Sequence, residues 1–249
     1  METVLVVGAT GNVGVSVIIA ALRSKRNVLA VVRNQLSADK IYQHTGMKDG
    51  ITVVEADVTS EHGVQEVVDR VKAGQLPAFQ HVYSTVGIYN PKTPMQNIDP
   101  SYFRQTMNIN LEANFFAYRA TIPYLIEQGN PHATWTLITG GAGEAGSAGV
   151  TAISQGALFS MANAACLENA TTNIRFNEVY LCYRVDFDTV CERLGGNRIK
   201  SSDFARVYEG ILANKDISGC RVSVYGPQDL DNLKYEKKPV GLASLRARA

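Results

Sequence analysis

The sequence has no excess of either charge and no long apolar run, and each absence excludes a class of protein. Lys and Arg number 24 against 23 Asp and Glu, a formal net charge of +1, so neither nucleic acid nor a charged membrane surface is the expected partner. No apolar run approaches the roughly 18 residues of a membrane span, and no secretion signal is recognised. The 249 residues, 45% of them hydrophobic, can bury a core as one domain.

Cysteine is also scarce, and its positions show no ligand pattern. The four cysteines form no CxxC pair, and none of the four histidines clusters with them. We therefore expect free thiols in a reducing cytoplasm and no metal site, with a disulfide or a metal site as the alternatives. These cysteines are Cys166, Cys182, Cys191 and Cys220.

Short runs rich in Val and Ile alternate along the chain with longer amphipathic stretches. Thr3–Val7 lacks polar alternation, which is typical of parallel strands covered by helices on both faces. The alternation predicts βαβ units and a Rossmann-type, doubly wound parallel sheet in three αβα layers. Strands are predicted at residues 3–7, 28–32, 51–54, 81–83, 134–138, 174–180 and 221–224, and helices at 13–24, 63–73, 101–128, 152–169 and 202–213.

The predicted domain covers residues 1–233, and a basic tail covers residues 234–249. The tail carries five Lys and Arg against the single Glu236. A frayed or docked terminus is the expectation, and a specific anion-binding role is the alternative.

A glycine-rich turn, Gly8-Ala9-Thr10-Gly11-Asn12-Val13-Gly14, follows the first predicted strand. Gly8 permits the sharp turn, Gly11 lets the backbone approach a pyrophosphate, and Gly14 lets the next helix pack on the strand. Free N–H groups at the helix start would then face the phosphates. This strand–turn–helix context predicts a dinucleotide site, with a purely structural turn as the alternative. The residues predicted to bind are Gly8, Thr10, Gly11, Asn12, Val13 and Gly14.

Arg33 indicates which dinucleotide the turn would bind. It ends the second strand, where NAD-specific folds place an acidic residue that holds the ribose 2′-hydroxyl. A guanidinium at this position suits a 2′-phosphate instead. The sequence therefore predicts NADP(H), unless Arg33 is only a solvated surface residue.

With these motifs in place, nearly the whole chain resembles the short-chain dehydrogenase/reductase superfamily. Asp57-Val58 resembles the family's adenine-contacting strand end, and Gly87 matches the glycine that follows its fourth strand. Asn110 matches the asparagine of the catalytic tetrad, and Thr139 is the hydroxyl nearest the family's serine. Residues 173–177 match the sixth-strand signature. The resemblance implies a nicotinamide cofactor at this site.

The resemblance breaks at the catalytic pair. The family's Tyr-x-x-x-Lys falls on Thr151 and Gln155, and no tyrosine lies between Tyr124 and Tyr180. Threonine cannot act as the general acid because the pKa of its hydroxyl is far outside the working range. The Pro-Gly that follows the family's sixth strand is replaced by Leu181-Cys182. The glycine spacing is closer to the family's extended and NmrA-like branches, whose NmrA-like members often bind dinucleotides without redox chemistry.

Other polar residues follow the predicted strands, where the crevice of an open α/β sheet lies. A tyrosine with a nearby arginine and carboxylates could supply an acid, an oxyanion stabiliser and a base, although each could instead be an ordinary loop residue. The candidate catalytic residues are Tyr183, Asp186, Thr139 and Asn110, with Tyr89, Asn90, Glu144, Arg184 and Asp188 nearby in sequence.

Two hypotheses for the function remain open. The first is an NADP(H)-dependent enzyme that acts on a small organic molecule, such as a secondary metabolite, by reducing C=C or C=N or by a redox-neutral cyclisation or isomerisation. The second is an inactive dinucleotide-binding pseudo-dehydrogenase with a sensing or regulatory role. Small residues along the helix at 152–169 predict a homodimer or homotetramer through the family's fourth and fifth helices, with packing inside the monomer as the alternative.

Overall fold

The computed structural model describes residues 1–91 and 93–241. Its strands are β1 Thr3–Val7, β2 Asn27–Val32, β3 Ile51–Glu55, β4 His81–Ser84, β5 Thr134–Gly140, β6 Arg175–Leu181, β7 Val185–Asp186, β8 Ile199–Lys200, β9 Cys220–Val224 and β10 Lys234–Lys237. Its helices are α1 Asn12–Arg23, α2 Gln35–Thr45, α3 Gly63–Lys72, α4 Pro100–Met107, α5 Ala113–Gln128, α6 Ala142–Ala145, α7 Val150–Glu168, α8 Asp188–Leu194 and α9 Ser201–Ala213.

The main sheet has the order β10-β9-β6-β5-β4-β1-β2-β3. All of its pairs are parallel except β9 with β10. The seven predicted strands are its seven parallel strands, so the Rossmann-type fold class is confirmed. The strand order reverses direction between β1 and β4, and a crevice for a ligand is expected beyond the carboxyl ends of the strands at this point.

Helices cover both faces of the sheet. Successive strand residues point to opposite faces, so Val4 and Val6 enter one buried cluster while Leu5 and Val7 enter the other. Residues of α1, α2 and α9 complete the first cluster, and residues of α3, α5 and α7 complete the second. The unbroken apolar character of β1 thus reflects burial between two helix layers.

The long helix predicted at 101–128 is interrupted by a π turn. The turn, Asn108–Glu112, joins α4 to α5 and contains Asn110, which is fully buried. Single π turns inside α-helices are frequent at functional sites. Here the turn directs Asn110 toward the segment that follows β4.

The predicted start of the basic tail at residue 234 is corrected by the structure. Lys234–Lys237 form β10, which pairs antiparallel with β9 and makes one edge of the sheet. Lys238 is buried and pairs with Glu178. The sequence reading missed this strand because four exposed, mostly charged residues carry no apolar pattern. Residues 242–249 of the predicted tail lie outside the described residues.

Helix α7 is long and apolar enough to cross a membrane by length and composition alone. Such helices also occur as core helices. In this fold α7 packs on β5 and β6 and buries residues such as Leu158 and Ala162 in the second cluster.

Candidate dinucleotide site and active site

The glycine turn lies between β1 and α1 as predicted, and its three glycines meet different surroundings. A Cβ at Gly14 would lie 2.2 Å from the carbonyl oxygen of Gly8, so Gly14 is required for close packing of the turn. Gly8 has φ 88° and lies against Thr85. A Cβ at Gly11 would meet only the Gly8 oxygen, at 3.6 Å. Gly11 therefore borders open space, which is the cradle that a phosphate needs.

The amino end of α1 is left without a side-chain cap. Gly11 is the N-cap residue and supplies no capping side chain, and the first turn holds no acidic residue. The N–H groups of a helix start attract anions through their unsatisfied hydrogens and the helix dipole. Together with the space beside Gly11, the turn fits a dinucleotide pyrophosphate.

Arg33 and Asp57 lie at the carboxyl ends of the neighbouring strands β2 and β3. Arg33 is exposed. Hydrogen bonds from the Thr59 hydroxyl and backbone, at 2.6 and 2.9 Å, lower the pKa of Asp57, and the charge of Arg33 lowers it further. Val58 packs against the second cluster. The arrangement presents a cation and an ionised carboxylate at the end of the crevice where the adenosine is expected.

Asn110 holds the segment after β4. Its Oδ1 accepts from the Ile88 backbone N–H at 2.7 Å, and its Nδ2 donates to the Ile88 carbonyl at 3.1 Å and to the Ser154 hydroxyl at 2.9 Å. Gly87 leaves room for this contact, with the site of its absent Cβ 3.6 Å from Asn110 Oδ1. The Asn110 carbonyl accepts from Asn114 Nδ2 at 2.7 Å. These contacts fix the turn at Gly87 and leave the Asn110 side chain fully engaged.

Thr151 and Gln155 lie on α7 beside Ser154, and both bond to backbone. The Thr151 hydroxyl accepts from the Asn90 N–H at 3.3 Å, and Gln155 Oε1 accepts from the Gly140 N–H at 2.7 Å at the end of β5. Thr151 and Gln155, to which the family resemblance assigns the catalytic pair, thus fasten α7 to the segment after β4 and to the end of β5. Ser154, which the sequence analysis did not name as a site residue, bonds Asn110 and lies one helical turn after Thr151.

Thr139 has a different set of hydrogen-bond partners from Asn110. It points to the α7 face of the sheet, is buried, and donates to Glu178 Oε1 at 2.7 Å. Glu178 is fully buried and also accepts from Arg221 Nε, at 3.0 Å, and from Lys238. The predicted serine-like hydroxyl is thus engaged by a buried ion cluster, and no hydrogen bond joins it to Asn110 among the described residues.

A second polar group adjoins that cluster, and Glu144 is its one member that the sequence analysis named. The Tyr180 hydroxyl donates to Glu144 at 2.8 Å, and burial together with its neighbours raises its pKa far above the usual range. Arg221 bonds to Glu144 at 2.5 Å, lowers the pKa of that carboxylate, and stacks its guanidinium 4.5 Å from the Tyr180 ring centre. Tyr180, Glu144 and Arg221 are far apart in sequence. The one sequence signal for their proximity is the alternation along β6 and β9, which places Tyr180 and Arg221 on the same face of the sheet.

The segment from Cys182 to Asp186, which we call the strap, follows β6. Tyr183 packs its ring against the first cluster, and no hydrogen bond to its hydroxyl is found within residues 1–91 and 93–241. Asp186 is buried; burial favours its neutral form, but hydrogen bonds from Arg184 and Arg198 outweigh this and lower its pKa. These contacts favour a structural role for Asp186 over the predicted role as a base.

Two cavities lie away from the carboxyl ends of the strands, where the glycine turn and the strap are found. One, of about 450 Å³, is at the amino ends of β6 and β9, beside Arg175 and Gly219. The other, of about 200 Å³, lies beside Arg221 and Lys238. Among the described residues, no group of three or more His, Cys, Asp or Glu could hold a metal ion, and all four cysteines are free.

Comparison with known proteins agrees with this geometry. Residues 2–188 match the model of the short chain dehydrogenase family. The chain is 54% identical over 240 residues to the short-chain dehydrogenase/reductase iacG of Pestalotiopsis fici, covering 95% of this chain and 96% of that protein. The protein therefore belongs to the short-chain dehydrogenase/reductase superfamily, an oxidoreductase family that binds nicotinamide dinucleotides.

Solved structures with low sequence identity share the fold. ElxO with NADP bound has a TM-score of 0.77 at 17% identity, covering 90% of this chain and 96% of that chain. A short-chain type dehydrogenase/reductase from Mycobacterium ulcerans has a TM-score of 0.76 at 18% identity, covering 94% of this chain and 92% of that one.

Proposed function

We propose that the protein binds NADP(H) and acts on a small organic molecule without the tyrosine–lysine mechanism of its family. The observation that carries the proposal is the contrast between the two halves of the site. The glycine turn and Arg33 retain what a phosphorylated dinucleotide needs. Thr151 and Gln155, in contrast, are hydrogen-bonded to backbone at the positions of the catalytic pair.

The glycine turn would hold the pyrophosphate, Arg33 the 2′-phosphate, and Asp57 with Val58 the adenine. Gly87, fixed by Asn110, would border the nicotinamide half. When bound, the nicotinamide supplies a hydride donor or acceptor. The NADP bound by ElxO supports this choice of cofactor by analogy of fold alone.

The side chains favour a reaction that needs little proton transfer from protein. Asn110, Thr139 and Asp186 are all engaged in structural hydrogen bonds. Tyr183 is the remaining candidate proton donor, because its hydroxyl makes no hydrogen bond within the described residues. Reduction of an activated C=C or C=N bond, or a redox-neutral cyclisation or isomerisation, fits this set better than reduction of a simple ketone.

The substrate is proposed to be small and largely apolar, such as a secondary metabolite. Ile88 and Tyr89 are exposed directly after β4, next to the turn that Asn110 fixes. Apolar side chains around a few polar groups are the usual lining of small-molecule sites.

A pseudo-dehydrogenase with a sensing or regulatory role is the second candidate. The full engagement of Asn110, Thr139 and Asp186 favours it, because binding alone requires no free acid or base. Phe103, Phe115 and Ile153 are exposed on α4, α5 and α7, and we propose that they pack in a homodimer or homotetramer. A cytoplasmic location is proposed from the free thiols.

The experiment that tests the enzyme proposal incubates the purified protein with NADPH and a panel of compounds. The panel contains simple ketones, activated alkenes, imines and cyclisation-prone precursors, and both NADPH absorbance and products are followed. Turnover of an alkene, imine or precursor with background rates on ketones supports the enzyme. NADPH binding with no turnover of any class favours the pseudo-dehydrogenase. Brisk ketone reduction overturns the claim of an altered mechanism.

A further inference from the structure

We infer that Arg184 and Arg198 form a second anion-binding point of the dinucleotide site and recognise the pyrophosphate from the side opposite the glycine turn. The inference rests on the proposed dinucleotide function and adds two residues to it. Neither residue belongs to the glycine turn, and they are 14 positions apart in the sequence.

The strap brings this region to the start of α1. In the sheet, β6 is separated from β1 by β5 and β4, so the strap must run back by about 14 Å, three interstrand spacings. It ends on the first residue of α1: Asn12 Nδ2 donates to the Val185 carbonyl at 3.0 Å and to Asp186 Oδ1 at 3.2 Å. The strap therefore borders the turn that fits a pyrophosphate.

Asp186 fixes both arginines at this point. Its Oδ2 accepts from Arg184 Nε at 2.6 Å and also from Arg198. The Ser201 hydroxyl donates to the Asp186 carbonyl at 3.1 Å and to the Asn12 carbonyl at 2.8 Å. Two independent connections thus hold the guanidinium groups at a set distance from the first turn of α1.

The charges at this point favour an anion. Two guanidinium groups share the carboxylate of Asp186, so these three side chains carry a net charge of +1 beside a helix start that has no acidic residue in its first turn. The next carboxylate, Asp188, accepts from the Ser202 N–H at 3.0 Å. The Arg184 side chain is 64% exposed, so it is accessible to a ligand. Planar guanidinium groups bind phosphate oxygens in pairs.

The test measures binding by titration calorimetry in the full chain. The variant Arg184→Gln/Arg198→Gln should raise the Kd for NADPH roughly 10- to 100-fold, because two charge-assisted hydrogen bonds are removed. The Kd of the variant for 2′-AMP, which has no pyrophosphate, should stay unchanged. An unchanged Kd for 2′-AMP would show that the site is still folded. Arg193→Gln is the matched control, since Arg193 is exposed on α8 of the same region.

A second variant controls for unfolding, because the double variant leaves the buried Asp186 carboxylate without its two arginine partners. Adding Asp186→Asn removes that charge, and the triple variant should show the same selective loss for NADPH. Inorganic pyrophosphate should compete with NADPH in the wild type more strongly than acetate or phosphate does. Stronger competition by acetate or by phosphate would assign the arginines to an acidic substrate and overturn the inference.

The outcomes separate the inference from the proposed function. If the wild type binds no dinucleotide, the proposed function fails. If the wild type binds NADPH and both variants bind it equally well, the function stands and the role of the two arginines is overturned.

Discussion

Asn110 Nδ2 donates to the Ser154 hydroxyl at 2.9 Å, which joins the π turn between α4 and α5 to α7. The same side chain makes both bonds to Ile88, so one buried amide holds three elements of the candidate site together. The asparagine that the family resemblance assigns to catalysis is thus also a structural node.

Replacing Asn110 should destabilise the fold. Asn110→Ala leaves the two backbone groups of Ile88 and the Ser154 hydroxyl without this partner, and we expect a loss of roughly 2–4 kcal/mol in the free energy of unfolding. Urea unfolding monitored by circular dichroism measures it. The control is Asn108→Ala in the same π turn, whose side chain bonds Thr59 and Glu112 nearer the surface and should cost less than about 1 kcal/mol. Equal losses would contradict the assignment.

Two glycines of the same turn should respond differently to substitution. Gly11→Val should keep the fold, because a Cβ there meets only the Gly8 oxygen, but its side chain would occupy the phosphate space and abolish NADPH binding. Gly14→Val should destabilise the fold itself, because its Cβ would lie 2.2 Å from that oxygen. Calorimetry and thermal unfolding distinguish the effects. Normal NADPH binding by Gly11→Val would show that the dinucleotide site lies elsewhere.

Arg33 should decide cofactor preference. NADPH should bind more tightly than NADH, and Arg33→Ala should remove most of the difference while leaving NADH affinity nearly unchanged. Arg23→Ala on α1 is the control for the loss of one positive charge. Equal affinities of the wild type for the two cofactors by calorimetry would exclude Arg33 as the 2′-phosphate ligand.

Tyr183 should affect turnover if the protein is an enzyme. Tyr183→Phe keeps the ring that packs on the core and removes only the hydroxyl, so we expect kcat to fall by about 10²–10⁴-fold with thermal stability retained. The matched control is Tyr235→Phe, because Tyr235 is an exposed tyrosine on the edge strand β10. Full activity of Tyr183→Phe on the substrate would remove Tyr183 from the site.

His81 should make stability depend on pH. Burial lowers its pKa from 6.5 to about 4, although Glu2 at 3.2 Å opposes this. The unfolded chain therefore takes up a proton that the folded chain resists, so the free energy of unfolding should fall by up to about 3 kcal/mol as the pH drops from 6.5 to 4. His81→Leu should flatten this dependence in urea unfolding at several pH values. The exposed His62→Leu, as control, should leave it in place.

The parallel sheet could be predicted from the sequence because its signals are local. An unbroken apolar run such as Thr3–Val7 already reports burial on both faces, and the order of strands and helices then restricts the topology. Helix α2 escaped prediction because it buries only Ala38 and Ile41, and its remaining positions face outward without an apolar stripe. Strand β10 escaped because pairing with β9, rather than its own composition, makes it a strand.

The sequence by itself determined the family, the glycine turn, and the absence of tyrosine and lysine at positions 151 and 155. These follow from residue identity and short spacings, which folding does not change. Only the tertiary structure decided which polar side chains remain available. Thr139 is bonded to Glu178, and Asp186 to Arg184 and Arg198, through contacts between residues brought together by strand order and alternation. A buried polar group must find partners wherever the fold places it, and those partners cannot be read from its neighbours in the chain.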